Sequence, residues 1–253
     1  MPADHYRART LPQVVAEAAA AFGDRVAVTD GEVRLSYAQL DAARIRAARA
    51  FIAAGLGHGD RIAIWAPNTY QWIIAAIGAQ SIGGVLVPLN TRLKGAEAAY
   101  ILQASGARLL FTVDEFIGVK YPELLQGHGL PALERTILLR GGATAGAASW
   151  EDFLAAGDAV PVSVALQRAA ALTPDDTLDI LFTSGTTGKP KGVVTCHGQN
   201  IRTFATWSAT VGLRSDDNYL IINPFFHSFG YKAGWLAAII RGCLLYTSPS
   251  PRD

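Results

Sequence analysis

The chain has 253 residues, of which 50% are hydrophobic and 17% charged, with a formal net charge of +1. That much apolar material buries a large core and excludes a disordered or fibrous protein. The charges are interspersed in sign, with no basic stripe for nucleic acid or an anionic membrane, so small molecules are the expected partners.

Cys196 and Cys243 are the only cysteines and lie in no Cys-x-x-Cys or histidine cluster, which argues against a disulfide framework or zinc site and for a reducing cytoplasm. The opening MPADHYRART has no apolar run after its charges and does not read as a secretory signal. The longest apolar stretch, Trp72 to Val87, is interrupted by Gly78, Gln80, Ser81, Gly83 and Gly84. It falls short of the roughly 20 residues that span a bilayer, so a buried helix followed by a buried strand is expected.

Taken in order, Leu11, Val14, Val15, Ala18 and Phe22 have helical spacing, and Val26–Val28 reads as a short strand before a turn at Gly31. Ser36 and Gln39 form a capping box that opens a long helix through Leu40, Ile45, Phe51 and Ile52, with Gly55 as its stop. Strands at Arg61–Trp65, Val85–Pro88 and Arg108–Val113 then alternate with helices at Thr69–Ile82 and Ala96–Ser105. This rhythm predicts an α/β protein of mostly parallel sheets with helices on both faces. The stretch GGATAGAAS, Gly141 to Ser149, reads as a surface loop, and Leu178–Phe182 as a strand.

That strand runs into FTSGTTGKPKG, Phe182 to Gly192, where four hydroxyl side chains and three glycines are interleaved with two lysines and a proline. Glycines let backbone N–H groups approach phosphate oxygens, hydroxyls donate hydrogen bonds, and Lys189 and Lys191 add compact positive charge. Pro190 restricts the loop when it is empty. Only two residues separate Gly185 from Gly188, so this is not a Walker A loop. On composition alone, the segment also reads as a flexible turn with solvated lysines.

The segment resembles the phosphate-binding signature of the adenylate-forming superfamily, which includes acyl-CoA synthetases, firefly-type luciferases and peptide-synthetase adenylation domains. FGDRVAVTDGEVRLSYAQLD, GLGHGDRIAIWAPN and GGVLVPLNTRL resemble the segments that precede it in those enzymes. The resemblance implies the large N-terminal domain of an acyl-CoA synthetase, a ligase of fatty-acid-type metabolism using ATP, Mg²⁺ and coenzyme A on a small carboxylate. It assigns Thr183, Ser184, Gly185, Thr186, Thr187, Gly188, Lys189 and Lys191 to the ATP phosphates, with Lys191 the most important charge. The stretch NPFFHSFGYKAGW, Asn223 to Trp235, is similar to the segment beside the acyl pocket. Phe226 and His227 would then neighbour the substrate carboxylate, Gly230 would permit close approach at a helix start, and Trp235 is a candidate for the acyl channel. His227 joins Lys191 as a catalytic candidate.

His5, His58, His128 and His197 have no metal-ligand spacing and read as surface or capping residues, and no protein metal site is expected. Trp65, Trp72 and Trp207 are core candidates, and Cys196 reads as a packed small residue. Arginine and alanine usage suggest a GC-rich bacterial genome, and whole-chain resemblance points toward ligases of steroid-ring degradation. Three other readings stay open: an acyl-adenylating enzyme that loads a carrier protein, a luciferase-like oxidation, and a non-catalytic nucleotide-binding module.

The resemblance also implies an adenine and Mg²⁺ motif, a ribose-binding Asp, a hinge Arg and a small C-terminal domain with a catalytic Lys, none of which appears. Residues 1–242 are therefore expected to be a truncated adenylation domain, unable by itself to complete the reaction. The last eleven residues, CLLYTSPSPRD from Cys243 to Asp253, are expected to be foreign, breaking the strand–helix alternation. One reading frame of a transposase adapter used in short-read sequencing encodes them all. Transposase-free sequencing of the source locus should show a frame that diverges after Gly242; a native frame encoding CLLYTSPSPRD would contradict this origin.

Overall fold

The computed structural model describes residues 9–183 and 188–247. Its first half runs α1 (Leu11–Phe22), β1 (Val26–Asp30), β2 (Val33–Ser36), α2 (Tyr37–Ala53), β3 (Arg61–Trp65), α3 (Tyr70–Gln80), β4 (Val85–Pro88), α4 (Gly95–Ser105) and β5 (Leu109–Thr112). A small hairpin of β6 (Glu115–Phe116) and β7 (Val119–Lys120) leads to the short α5 (Tyr121–Leu124), β8 (Arg135–Leu138), β9 (Ala147–Ser149), α6 (Trp150–Ala156) and α7 (Val162–Ala170). A hairpin of β10 (Thr177–Thr183) and β11 (Lys191–Cys196) is followed by α8 (His197–Thr210), β12 (Asn218–Ile221) and the single turn α9 (Ser228–Gly230). A wide helical turn over Tyr231–Leu236, broken at Gly234, leads into α10 (Ala237–Arg241) and β13 (Leu244–Thr247).

The larger sheet has seven strands in the order β11-β10-β4-β3-β5-β8-β9, parallel throughout except for the antiparallel pair β10–β11. The smaller sheet has the order β12-β13-β1-β2. Helix α3 touches β3 and β4 of one sheet and β1 of the other, which explains why its residues from Gln71 to Gln80 are all buried. Such a helix is apolar on every side, as the unpatterned run after Trp72 suggested. Among the described residues, no helix is long and apolar enough to cross a membrane.

Local signals act as expected in several places. The Gln39 amide N–H donates to Ser36 Oγ at 3.2 Å, and the Ser36 N–H donates to Gln39 Oε1 at 2.9 Å, which closes the capping box of α2. Gly55 follows that helix with φ of 79°, in the left-handed region. The loop expected at Gly141–Ser149 ends in β9, whose Ala147–Ser149 pair in parallel with Thr136–Leu138. The break expected at Cys243 does not occur: β13 lies between β1 and β12 and is parallel to both. Leu245 and Thr247 face inward while Tyr246 is exposed, so four residues, two of them the β-prone Tyr246 and Thr247, fill the slot by simple alternation. This pairing reflects their propensity and does not bear on their coding origin.

His197 is not a surface residue. It is fully buried at the start of α8, where Nδ1 accepts the Leu11 N–H at 3.0 Å and so ties α8 to α1 across the sequence. His5 lies outside the described residues, whereas His58 and His128 are exposed. Burial pushes the His197 imidazolium down to about 4, with Asp176 opposing and His58 adding to the shift. The unfolded chain therefore binds this proton more readily than the folded one, and stability is lost as pH falls from about 6.5 toward 4. Urea denaturation at pH 7.5 and pH 4.5 should show a loss on the order of 2–3 kcal/mol from this residue. His197→Asn keeps an acceptor without a titrating ring and should show a smaller loss. An equal loss in both proteins would contradict the assignment.

Candidate functional site

The chain leaves β4 through α4 toward β5 on one side of the sheet and leaves β10 toward β11 on the other. Departures in opposite directions open a crevice at the carboxyl ends of two neighbouring parallel strands, the usual place for a ligand in such a sheet. A cleft of about 760 Å³ lies there. Its walls are Pro88 at the end of β4 and Asn90 beyond it, Glu97 and Tyr100 of α4, Leu181 and Thr183 of β10, Lys189, Pro190 and Val193 around the turn and β11, and Phe226, His227 and Ser228.

Two segments remote in sequence thus share one cavity: the flanks of the hydroxyl-rich turn and the FFHS stretch. Ser184, Gly185, Thr186 and Thr187 lie outside the described residues; the others can be located. Thr183 ends β10 opposite Lys191, the first residue of β11, and its Oγ1 donates to the Lys191 carbonyl at 3.4 Å. Directly opposed residues point to the same face, so Lys191 shares the face of Thr183, although it is exposed and outside the cleft lining. Gly188 and Lys189 are exposed at the far end of the turn. Lys189 Nζ sits 5.3 Å from the centre of the Tyr100 ring, and the Tyr100 hydroxyl donates to the Pro190 carbonyl at 3.3 Å. Tyr100 therefore ties the returning limb of the turn to α4; a cation–π contact at such an exposed site contributes about 0.5–1 kcal/mol.

Phe226 is half-buried in the cleft wall and His227 is exposed beside it. His227 caps α9, with Nδ1 accepting the Phe229 N–H at 3.2 Å. In the neutral ring this leaves the proton on Nε2, which is a donor. The backbone before it is held from outside: Asn68 Nδ2 donates to the Asn223 carbonyl at 2.9 Å, and the Phe225 N–H donates to Asn68 Oδ1 at 2.7 Å. Asn68 ends the IAIWAPN stretch, just beyond the last residue of β3, yet its clamp on the FFH segment was not legible in the sequence.

Two expected site residues serve packing. Gly230 is buried, and a Cβ there would come within 2.2 Å of the Pro224 carbonyl oxygen and 2.4 Å of that of Asn223. The close approach it permits is to its own chain. Trp235 is fully buried, stacked on Tyr231 at 4.7 Å and edge-on to Trp72 at 6.2 Å, and it does not line the cleft. Trp235 follows Gly234, whose non-helical backbone breaks the wide turn, and its indole is packed in the core. Trp65 and Trp72 are core residues as expected; Trp207 is half-buried against Phe229, and Cys196, half-buried, stands at the N-terminus of α8.

Beneath the cleft lies a group that sequence reasoning missed. Asp179 of β10 and Lys232 of the wide turn are both buried, with Lys232 Nζ 3.0 Å from Asp179 Oδ1. Burial pushes the carboxyl up and the ammonium down, and their mutual attraction opposes both shifts. Among the described residues, no group of three His, Cys, Asp or Glu side chains could hold a metal ion. Glu97 is the single carboxylate in the cleft lining, and its Oε2 already accepts the Lys94 N–H at 2.8 Å.

Comparison with known proteins decides the kinship. The AMP-binding enzyme family matches residues 15–253. The chain belongs to that family. It is 42% identical over 238 residues to a 3-[(3aS,4S,7aS)-7a-methyl-1,5-dioxo-octahydro-1H-inden-4-yl]propanoyl:CoA ligase of Rhodococcus jostii (strain RHA1), covering 92% of this chain and 46% of that protein. It is 37% identical to a crotonobetaine/carnitine–CoA ligase of Salmonella paratyphi A, covering 87% of this chain and 42% of that one. The AMP-binding chain thus spans about half the length of the curated relatives it matches. In structure it is similar to the inhibitor-bound N-terminal domain of FACL13 from Mycobacterium tuberculosis, with a TM-score of 0.81, 27% identity, and coverage of 95% of this chain and 57% of that one. An anthranilate CoA ligase in complex with anthranoyl-AMP shares the fold at a TM-score of 0.87 and 23% identity, over 99% of this chain and 47% of that one.

Proposed function

We propose that this chain carries the phosphate-binding and acyl-binding walls of an ATP-dependent acyl-CoA ligase. One observation carries the reading: a single cleft unites Thr183 and Lys189, which flank the hydroxyl-rich turn, with Phe226 and His227. In the proposed reaction a carboxylate oxygen attacks the α-phosphorus of ATP, pyrophosphate leaves, and the thiol of coenzyme A then displaces AMP from the acyl adenylate. Negative charge gathers on the phosphate oxygens in the first step, and pre-set hydroxyls, backbone N–H groups and lysines stabilise it. Thr183, the turn residues Ser184 to Gly188, Lys189 and Lys191 perform that work. Phe226 gives the acyl group an apolar wall, and the Nε2–H of His227 donates to a carboxylate or acyl-phosphate oxygen.

Mg²⁺ accompanies ATP in such chemistry, but the donor set described here does not make a protein-held site for it. Glu97 alone is too few, and its carboxylate is engaged in a cap.

The names of the relatives guide the choice of acid. Since the Rhodococcus protein is named for an octahydroindenyl propanoate, a bulky alicyclic propanoate is the first substrate to try, with aromatic and straight-chain acids beside it. Val193 and Val194 on the edge strand β11 are 47% and 60% exposed. Val193 faces the cleft and Val194 the opposite face; β11, at the sheet edge, suits the remaining part of a longer ligase, without which the chain would bind phosphate but not hold the α-phosphorus in attack geometry. Two unpaired cysteines favour the cytoplasm as the place of reaction.

In the full-length enzyme, Lys191→Ala should lower carboxylate-dependent ATP–pyrophosphate exchange about 10- to 1,000-fold, the loss seen when one pre-set charge-stabilising donor is removed. Unchanged exchange in a folded variant would contradict the role of Lys191. Exchange that leads to no release of acyl-CoA with free coenzyme A would instead favour loading of a carrier protein.

A further inference from the structure

The buried Asp179–Lys232 pair does not line the cleft, and the proposed chemistry makes no use of it. Thr195 joins the two charges into a triangle: its Oγ1 donates to Asp179 Oδ1 at 2.6 Å and accepts from Lys232 Nζ at 3.0 Å. Asn200 Nδ2 donates to the same Thr195 Oγ1 at 2.8 Å and to the Cys196 carbonyl at 2.8 Å, which fixes the hydroxyl.

Three features of its place in the fold single it out. First, register makes it the base of a ladder: Asp179 opposes Thr195, Leu181 opposes Val193 and Thr183 opposes Lys191, all on one face of the β10–β11 hairpin. Leu181, Val193 and Thr183 line the cleft, so the triangle lies directly under its floor. Secondly, Lys232 comes from the other segment of the site, one helical turn beyond His227, and the Tyr231 N–H donates to the His227 carbonyl at 2.9 Å. Thirdly, the pair is a poor choice for stability alone, since replacing a buried ion pair by apolar side chains of similar volume is often neutral or stabilising. A directional link between two segments is what hydrogen-bonded charges supply and apolar packing does not.

We propose that the Asp179–Thr195–Lys232 triangle is a positioning element that sets the phosphate-binding hairpin in register with the Phe226–His227 segment. The proposal rests on the ligase reading of the cleft. Each ligand half meets its own segment, so loosening the triangle leaves the separate binding of ATP and carboxylate nearly intact and spoils their relative placement.

The test compares full-length wild type with Thr195→Val, which removes the bridging hydroxyl at constant shape, and with the double variant Asp179→Leu/Lys232→Met, which replaces both charges. Thermal melting, exchange kinetics, and calorimetric binding of ATP and of an acyl-sulfamoyl-adenosine are measured on each. For folded variants the expected result is a fall in exchange kcat of about tenfold or more, with KM for ATP and for the carboxylate within about threefold. The acyl-sulfamoyl-adenosine, which spans both segments, should bind about tenfold more weakly while ATP affinity holds. Variants that melt differently yet exchange and bind as wild type would overturn the positioning role. So would an unaffected Thr195→Val beside a double variant that does not fold, which would assign the triangle to stability alone. A wild type that binds neither ligand would overturn the ligase reading and the positioning role together, whereas a normally active wild type beside equally active variants overturns the positioning role only.

Discussion

The parallel seating of β10 on β4, through Asp179 opposite Leu86, is the constraint on which the site depends. It adds an antiparallel hairpin to the edge of an otherwise parallel sheet and sends the chain away from β4 and β10 in opposite directions. A crevice at the carboxyl ends follows from that geometry alone. The most unusual composition in the chain, a run of hydroxyls, glycines and lysines, follows β10, and its described flanks Thr183, Lys189 and Pro190 line the crevice.

From base to mouth, the hairpin's inner face grades from buried ion pair to apolar rung to exposed cation. At the base, desolvation works against both charges of Asp179 and Lys232, and the three hydrogen bonds that join them to each other and to Thr195 offset it. Leu181 and Val193 separate that layer from the cleft. At the mouth, Lys191 and Lys189 stay in water, free to meet a polyanion without first losing a partner charge. Positive charge is thus available where phosphate would arrive, and fixed where the two segments must be held. The second segment is clamped twice, by Asn68 around Pro224 and by the triangle beyond His227.

Much of this was legible in the sequence, for local reasons. Helix α1 and strands β3 and β4 occupy the expected residues because buried parallel strands read as apolar runs and the helices carry explicit caps. The turn after β10 stood out by composition, and the FFHS stretch by resemblance. What escaped depended on distant partners. Asp179 and Lys232 are 53 residues apart, and a lone charge in an apolar stretch does not announce a partner at that distance. His197, expected to be a surface or capping residue, is buried and does cap, but its partner is the first N–H of α1 at Leu11, 186 residues away. Trp235, a channel candidate for which packing was an equal reading, is packed against Tyr231 and Trp72, partners 4 and 163 residues away in the chain. The short β8 and β9 carry weak patterns and are held by their strand partners in the sheet, whereas α6 and α7 are held by packing against α2.

The central claim is that one ligand, an acyl adenylate, spans the hairpin and the Phe226–His227 segment in a single cleft. A crystal structure of the full-length enzyme with a non-hydrolysable acyl-sulfamoyl-adenosine tests it most directly. The account predicts the acyl group against Phe226, the linking group within hydrogen-bond reach of the Thr183–Lys191 turn or of His227 Nε2, and the Asp179–Lys232 pair intact below. An analogue bound away from this cleft, or in it with the acyl group turned from Phe226 and no contact to the turn, would contradict it.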